Sequence, residues 1–323
     1  MIIVYVEHAD GRADRVSLEA LALAGSLGGP VHAALIGPGV TQAAASLGGR
    51  GVETVHAIDH DSLSAYAPRA YGAAVAELIA THQPAIVIGP GTERGNEVMA
   101  YVGAITGKPM VANVLSVEPV SSPFPVRLTR QRWAGSLVEE ATLRASPAIL
   151  TVAPHAIEAP EAASGAAPPI ISMTPTLSAA DLASRVTGRI DPEGDGVSLT
   201  DAKVVVGGGR GMGSTEGFAI LEELADLLGG AVGGSRVVTS NGWRPHADQI
   251  GQTGLRIAPD IYIACGISGA IQHIVGCAAS KNILAINKDP DAPIMSRAHY
   301  AVIGDLHAIV PAISAEIRRV RGT

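Results

Sequence analysis

The residues best suited to chemistry lie in one stretch that combines glycines, a serine, a glutamine and a histidine. Residues 258–273 read Ala-Pro-Asp-Ile-Tyr-Ile-Ala-Cys-Gly-Ile-Ser-Gly-Ala-Ile-Gln-His, with Gln-Ile-Gly-Gln-Thr at 249–253 just before them. The pattern predicts a buried strand, a small-residue turn and a helix that carries Gln272 and His273 in its first turns. The unpartnered N–H groups and partial positive charge of such a turn suit an anionic or electron-rich ligand. His273 adds a further donor, or a full charge if it is protonated.

A second glycine-rich turn, Gly-Gly-Gly-Arg-Gly-Met-Gly at 207–213, does not fit the dinucleotide fingerprint. A G-x-G-x-x-G motif that starts at Gly207 would need glycine at Met212, and one that starts at Gly209 would need it at Ser214. An acidic ribose ligand roughly 20 residues later is also missing. The sequence therefore disfavours a nicotinamide dehydrogenase. Arg210, inside this turn, is a candidate contact for a pyrophosphate or a ring.

Polar residues recur where the predicted strands of the second half end. In an open parallel sheet such turns share one edge, where ligands bind. Six polar turns favour one long ligand with phosphate, sugar and ring parts over loops that only cap strands. The turns contain Arg210, Ser235 with Arg236, Thr253, residues 268–273, Asn287 and Asp305.

The elements that must position these residues follow from the composition of the chain. Its 323 residues suggest two domains. Hydrophobic content is 47% but aromatic content only 3%, so aliphatic side chains must fill the cores, which favours helices packed on sheets. A net charge of −7 without a Lys/Arg run makes nucleic acid an unexpected partner. Cys265 and Cys277 read as buried thiols in a reducing compartment.

Two further absences in the sequence bear on location. No apolar run approaches the roughly 18 residues of a membrane span. The chain also opens directly on a predicted strand, without a basic leader. We therefore expect a cytoplasmic protein that is not embedded in a membrane.

Residues 1–153 alternate strand and helix signals, which predicts a mostly parallel sheet with helices on its faces. A hairpin is expected at the edge of that sheet. The predicted strands are 2–6, 31–36, 53–58, 85–88 and 148–152, and the hairpin strands are 126–132 and 136–143. One helix is predicted to start near residue 14, and two others to cover about 41–47 and 68–80. The turn at 89–95 could hold a phosphate, but we favour a tight connection without a ligand.

The chain then passes through a proline-rich segment, residues 154–175, which predicts irregular surface structure, and a short helix near 179–184. Residues 191–196, Asp-Pro-Glu-Gly-Asp-Gly, predict a hinge near Gly194. We therefore divide the chain into an α/β domain over 1–193 and a doubly wound α/β domain over 194–323. In the second domain we expect strands at 203–206, 261–265, 283–286 and 301–303, a glycine-rich turn into a strand at 232–238, and helices at about 215–228 and 306–319.

The same motifs resemble the electron-transfer flavoprotein α subunit. The resemblance is dense from about residue 204 to the C-terminus and weaker but colinear through 1–153. The motifs that carry it are Val-Val-Gly-Gly-Gly-Arg-Gly at 205–211, Gly-Gly-Ser-Arg at 233–236, Gln-Ile-Gly-Gln-Thr-Gly at 249–254, Cys-Gly-Ile-Ser-Gly-Ala-Ile-Gln-His at 265–273 and Ala-Ile-Asn-Lys-Asp-Pro-Asp-Ala-Pro-Ile at 285–294.

This resemblance implies an electron carrier without substrate turnover of its own. It implies a heterodimer with the β subunit, with FAD on the C-terminal domain of this chain and AMP in the partner. The usual electron donors are acyl-CoA dehydrogenases or other flavin dehydrogenases, and the acceptor is a quinone oxidoreductase.

The resemblance also implies roles for single residues. Arg210 and Ser235 would hold FAD, and Arg236 would lie against its isoalloxazine. The ring would be followed by Ile250, Gly251, Gln252 and Thr253, and wrapped by Ser268, Gly269, Ala270, Ile271, Gln272 and His273. Asn287 and Asp305 would contact the adenosine half. The chain departs from the family pattern at Ser240, at His246 and at Ala-Pro-His over 153–155.

Three alternatives remain open from the sequence. An electron-bifurcating relative would draw on NADH and carry a second FAD in the β subunit. An α/β hydrolase would use Ser268 as the nucleophile, with Asp289 and His307 in the expected order, although its fifth motif position is Ala270 instead of glycine. A degenerate nucleotide-binding or assembly module would do no redox work.

Overall fold

The computed structural model describes residues 1–118, 125–135, 137–188 and 197–322. The chain divides into an N-terminal unit, Met1–Arg189, and a C-terminal unit, Ile190–Thr323. The predicted hinge at 191–196, with the boundary near Gly194, falls outside the described residues and stays a prediction. No helix among the described residues combines the length and the apolar character needed to cross a bilayer.

The N-terminal unit alternates strands and helices, as the βαβ pattern predicts. Its strands are β1 Ile2–Val6, β2 His8–Ala9, β3 Arg12–Ala13, β4 Val31–Ile36, β5 Thr54–Ile58, β6 Ile86–Pro90, β7 Met110–Val117, β8 Val126–Arg132, β9 Leu137–Leu143, β10 Ala148–Val152 and β11 Ile170–Met173. Its α-helices are α1 Arg15–Ser26, α2 Val40–Ala45, α3 Pro68–His82 and α4 Glu93–Thr106.

Nine of these strands form one sheet in the order β11-β5-β4-β1-β6-β10-β7-β8-β9. The pairs from β11 to β7 are parallel, and the predicted hairpin β8–β9 adds the antiparallel edge. Apolar side chains of α1 and α2 bury one face of the sheet, and those of α3 and α4 bury the other. Burial on both faces explains why the central strands are almost wholly apolar.

Three predictions for this unit were incomplete or wrong. The segment 154–175 is not irregular throughout, because β11 pairs in parallel with β5. The expected helix near 179–184 is a series of turns. The strand β7, which lies between β10 and the hairpin, was not predicted.

The C-terminal unit has a five-stranded parallel sheet in the order β13-β12-β14-β15-β16. Its strands are β12 Val204–Gly208, β13 Ala231–Gly234, β14 Ile261–Cys265, β15 Ile283–Asn287 and β16 Tyr300–Ile303, and its α-helices are α5 Ala219–Leu228, α6 Arg236–Ser240, α7 Ile271–Cys277 and α8 Leu306–Arg321. Apolar clusters lie on both faces, with α7 on one and α5 and α8 on the other. The doubly wound prediction is confirmed.

One local prediction in this unit was reversed. Residues 232–238 were expected to run from a turn into a strand, but β13 comes first and the helix α6 follows. Ser235 stands at the N-cap of α6, so Arg236 begins a helix. Both cysteines are free and buried, as predicted.

Candidate cofactor-binding site

The site is organised by the point where the C-terminal sheet changes winding direction. The chain runs from β12 to β13 on one side and then returns to β14 on the other, so the turns after β12 and β14 diverge from adjacent strands. Gly209 N donates to the Cys265 carbonyl at 2.9 Å, and Gly211 N donates to the Gly266 carbonyl at 3.2 Å. A Cβ at Gly209 would overlap the Gly266 carbonyl oxygen. Ligands bind at such switch points in open α/β sheets.

The ends of the other strands lie at the same edge. Ser235 N donates to the Gly208 carbonyl at 2.9 Å, which fixes the start of α6 beside the end of β12. Ile250 N donates to the Gly234 carbonyl at 2.8 Å, which brings the 249–254 turn to this edge. The side chains of Arg210 and Arg236 are exposed here. Neither forms an ion pair within the described part of the chain, so two guanidinium groups are available to an anion.

The 249–254 turn is tied to the first turn of α7. Gln252 N donates to the Gln272 carbonyl at 2.7 Å, and Leu255 N donates to the Gln249 carbonyl at 2.7 Å. A Cβ at Gly276 would overlap the backbone N and Cα of Gly251. The exposed Thr253 and the helix that carries His273 are therefore held by main-chain contacts.

Gln249 sets the side-chain geometry of this turn. It is 2% exposed, and its Nε2 donates to the Thr253 Oγ1 at 2.9 Å. Its Oε1 accepts from the Thr239 hydroxyl at 2.9 Å. A buried amide with both ends bonded resists rotation. Gln249 therefore fixes the hydroxyl of Thr253 at the rim of the site.

His273 is 6% exposed and points into the protein. Its Nε2 lies 2.8 Å from the hydroxyl of the fully buried Tyr262, while its Nδ1 is buried without a normal hydrogen bond. Burial lowers the pKa of His273 to about 4, against the raising effect of the Ile250 carbonyl. Of the two states expected from the sequence, the neutral donor is the one that the structure supports at neutral pH.

Asn287 and Asp305 lie at the same edge, but their side chains already have partners. Asn287 Nδ2 donates to the Ile267 carbonyl at 2.9 Å. Asp305 accepts from His307 N at 3.0 Å and forms an ion pair with Lys288 at 3.1 Å, which lowers the pKa of its carboxyl. Both residues shape the turns that they join. Their contact with an adenosine group stays a prediction.

The hydrolase triad is not assembled. Among the described residues, the exposed Ser268 makes no side-chain hydrogen bond to His307, whose backbone N is bonded to Asp305 at the start of α8. Asp289 instead accepts a hydrogen bond from Asp291 N at 3.0 Å. Without a base on its hydroxyl, Ser268 has no activation as a nucleophile.

The turn at 89–95 in the N-terminal unit contains an internal carboxylate. Thr92 caps α4 by accepting from Gly95 N at 2.8 Å, and its hydroxyl donates to both carboxyl oxygens of Glu7 at 2.9 Å. A carboxylate at this position repels a phosphate. The Glu7 carboxyl therefore disfavours a phosphate in this turn, and the absence of a ligand here stays a prediction.

The buried state of Glu7 gives a testable pH dependence. Burial raises the pKa of Glu7 to about 7, against the lowering effect of the Thr92 hydrogen bond. A folded-state pKa above the unfolded value means that stability is lost as pH rises through 7. Glu7→Gln cannot ionise, so its stability relative to wild type should increase by about 2–3 kcal/mol between pH 5 and pH 8.

The Glu7 prediction is checked by urea titrations of both proteins at the two pH values. Glu161→Gln, at an exposed carboxyl of the same unit, serves as the control and should show no such increase. A stability difference for Glu7→Gln that does not change with pH would contradict an ionising buried carboxyl.

The sequence patterns did not indicate a role for Tyr262 or for Gln249. Tyr262 is the only aromatic residue in 258–273, within a strand that is otherwise aliphatic and small. Its hydroxyl lies where a Cβ at Gly207 would be, on the neighbouring strand β12. A lone tyrosine in a buried strand needs a polar partner, and that requirement was the available signal.

Comparison with known proteins agrees with the resemblance in the sequence. A family model of the electron transfer flavoprotein domain matches residues 2–178, and a model of the electron transfer flavoprotein FAD-binding domain matches residues 198–278. Among similar relatives, an electron transfer flavoprotein subunit alpha from Megasphaera elsdenii is 35% identical and covers 99% of this chain and 97% of its own.

Two other relatives also match this chain over nearly its whole length. The electron transfer flavoprotein subunit alpha of Bacillus subtilis is 35% identical, with 99% and 98% of the two chains covered. That of Mycobacterium tuberculosis is 36% identical, with 99% of each chain covered. Identity at this level over the whole length, with both domain models matched in order, shows that the chain belongs to the electron transfer flavoprotein α-subunit family.

Proposed function

We propose that this chain is the FAD-carrying α subunit of a heterodimeric electron carrier. It takes electrons from flavin dehydrogenases, such as acyl-CoA dehydrogenases, and passes them one at a time to a quinone-reducing acceptor. The observation that carries the proposal is the convergence of five strand-end turns at one edge of the C-terminal sheet. These turns lie within and just beyond the match to the FAD-binding domain.

The residues at this edge fit a flavin dinucleotide. The His273 Nδ1 is a buried polar atom that has no hydrogen-bond partner among the described residues, as expected of a group that a ligand completes. Gly209 lets the turns after β12 and β14 approach closely, because a Cβ there would overlap the Gly266 carbonyl oxygen. Gly251 has a φ of +151°, in the region that favours glycine. Arg210 and Arg236 are exposed and form no ion pair with another described residue, which leaves one guanidinium for the pyrophosphate and one for the ring.

Each part of the site has a distinct task toward the cofactor. FAD supplies the electron-accepting ring when it is bound. Arg210 and Ser235 bind the phosphates, and Arg236 lies against the ring as a fixed positive charge. Residues 250–253 follow the ring, with the Thr253 hydroxyl held by Gln249. The exposed turn over 268–272 wraps the cofactor from the α7 side.

His273 acts on the ring as a neutral donor. Because its imidazole stays uncharged at neutral pH, it stabilises negative charge on the reduced ring through a hydrogen bond and not through a full ionic contact. The fixed charge comes from Arg236. This arrangement stabilises added electron density without burying a second cation.

Replacing Gln249 with leucine tests the control of Thr253. The variant loses two buried hydrogen bonds, so we expect unfolding to become easier by about 1–3 kcal/mol. FAD binding should weaken roughly tenfold, since about 1.4 kcal/mol of positioning is lost. Fluorescence titration of the flavin-free heterodimer with FAD measures the affinity.

A double-mutant cycle provides the control for Gln249. If Gln249 acts through Thr253, the double variant with Thr253→Val should bind FAD no more weakly than the weaker single variant. Independent, additive losses of affinity would show that Gln249 has no effect through the hydroxyl of Thr253.

The proposed function is tested by co-purification with the β subunit. The heterodimer should be yellow, show an oxidised-flavin spectrum, and release one FAD and one AMP on denaturation. Reduced acyl-CoA dehydrogenase should bleach the flavin band. Release of two FAD per heterodimer would support the NADH-linked bifurcating alternative instead, and a colourless heterodimer that does not bind added FAD would support the assembly module.

A further inference from the structure

A buried side-chain hydrogen bond joins Tyr262 on β14 to His273 on α7. Tyr262 is 0% exposed on β14, and His273 is 6% exposed on α7, so both polar groups are isolated from solvent. The 2.8 Å contact joins the Tyr262 hydroxyl to His273 Nε2. Gly207 on β12 provides the space, because a Cβ there would overlap the tyrosine hydroxyl.

Counting hydrogens decides the direction of this bond. If His273 Nε2–H donated to Tyr262, the tyrosine hydrogen would have no acceptor, and the Nδ1 lone pair would also lack a partner. If the tyrosine hydroxyl donates to Nε2, only the Nδ1–H remains without a partner among the described residues. Each buried polar group without a hydrogen-bond partner destabilises the folded protein. The second arrangement leaves fewer unsatisfied groups, so the tyrosine is the donor.

We infer that Tyr262 is a positioning residue that fixes His273 in the Nδ1–H tautomer, so that the imidazole presents a donor at its free nitrogen. A neutral imidazole has one donor and one acceptor, and the partner of one nitrogen sets the role of the other. Nδ1–H must therefore donate to an acceptor on the ligand. If the proposed function holds, that acceptor is a carbonyl oxygen of the flavin ring.

The opposite tautomer would have the opposite effect. An unprotonated Nδ1 would place a lone pair against the ring oxygen and destabilise added negative charge there. Without the tyrosine hydroxyl, the imidazole is free to exchange between its two tautomers. Tyr262→Phe removes one oxygen atom and keeps the ring that packs against Gly207, so it isolates this effect from packing.

Nitrogen NMR of the ring nitrogens measures the tautomer directly. The heterodimer is purified with histidine labelled with ¹⁵N, and the His273 signals are assigned by their loss in His273→Asn. In the wild type we expect a protonated-type shift for Nδ1 and an unprotonated-type shift for Nε2. In Tyr262→Phe we expect a mixture of both tautomers, and a lower reduction potential for the bound flavin.

The controls separate this inference from the proposed function. Tyr300→Phe removes an exposed hydroxyl in the same unit and should leave both His273 signals unchanged. A wild-type His273 protonated at Nε2, or signals unaffected by Tyr262→Phe, would overturn the role of Tyr262 even if FAD is bound. If FAD is absent while the Nδ1–H tautomer is found, the proposed function fails and the tautomer assignment stands.

Discussion

Gly276→Ala is expected to weaken FAD binding at least tenfold while most of the chain still folds. A Cβ at this position would overlap the backbone N and Cα of Gly251, in the turn that follows the proposed ring site. Helix propensity alone would favour alanine by about 1 kcal/mol. The overlap is with main chain, which no rotamer change can relieve, and overpacking costs about 1–3 kcal/mol. The steric effect therefore outweighs the propensity effect.

The main consequence of this substitution should be on the site. The 249–254 turn must move away from α7, which breaks the bond from Gln252 N to the Gln272 carbonyl and carries Thr253 away from the helix. We expect FAD affinity to fall at least tenfold, which corresponds to about 1.4 kcal/mol. Titration of the flavin-free heterodimer with FAD, together with urea unfolding, separates affinity from stability.

Gly25→Ala is the matched control for Gly276→Ala. Gly25 is also a helical glycine, in α1, but a Cβ there would meet nothing within 4 Å. This variant should be more stable than wild type by about 0.5–1 kcal/mol and bind FAD normally. If Gly276→Ala binds FAD as tightly as wild type, the turn and α7 do not form the ring site together.

Removing the charge of Arg210 or Arg236 is the second change with a large expected effect. Both side chains are exposed and lack an acidic partner among the described residues, so their removal leaves no carboxylate unpaired. A charge-assisted hydrogen bond contributes about 1.5–3 kcal/mol, which predicts FAD binding that is roughly 10- to 150-fold weaker in each alanine variant. The loss should be smaller at high salt, where exposed charges are screened.

Arg319→Ala tests whether this loss is specific. It removes the same charge from the end of α8, where Arg319 pairs with Glu316 at 2.6 Å. FAD affinity should be unchanged. Equal weakening in all three variants would show that only the net charge of the unit matters, and no weakening in Arg210→Ala and Arg236→Ala would remove both from the site.

Local sequence patterns correctly predicted the strands and turns whose apolar pattern matches their burial in the fold. The apolar run of β14 and the small residues after it required a strand and a turn, and the parallel connection placed the turns at one edge. The predictions were wrong where pairing with a strand distant in sequence determines the secondary structure. β11 is a strand because its backbone bonds to β5, although prolines precede it in the sequence. Strand formation of this kind depends on the partner more than on propensity.

The helix α6 shows the opposite failure. Val237, Val238 and Thr239 are β-branched and favour strands, so the sequence predicted one. In the structure Val238 N donates to the Ser235 carbonyl at 2.9 Å, and Val238 is fully buried. The end of β13 at Gly234 forces the chain to turn, and this tertiary constraint overrides the propensity.

The sequence predicted which turns share one edge of the C-terminal sheet, but it did not predict the side-chain hydrogen bonds within them. The sequence placed Arg210, Thr253 and His273 in turns at one edge because all the strands run parallel. It could not show that Gln249 holds Thr253 or that Tyr262 bonds His273, since these pairs depend on side-chain packing across different elements. Such contacts follow from the fold and have no signature in spacing.

Hydrogen–deuterium exchange of the heterodimer, with and without FAD, tests the central claim most directly. In this account, the turns that follow several parallel strands of the C-terminal unit together bind one flavin dinucleotide. Adding FAD to the flavin-free protein should slow exchange together in peptides that cover 207–213, 249–254 and 266–273, while the 89–95 turn of the N-terminal unit stays unchanged. Protection of 89–95 instead, or no protection of the three C-terminal turns by bound FAD, would contradict the account.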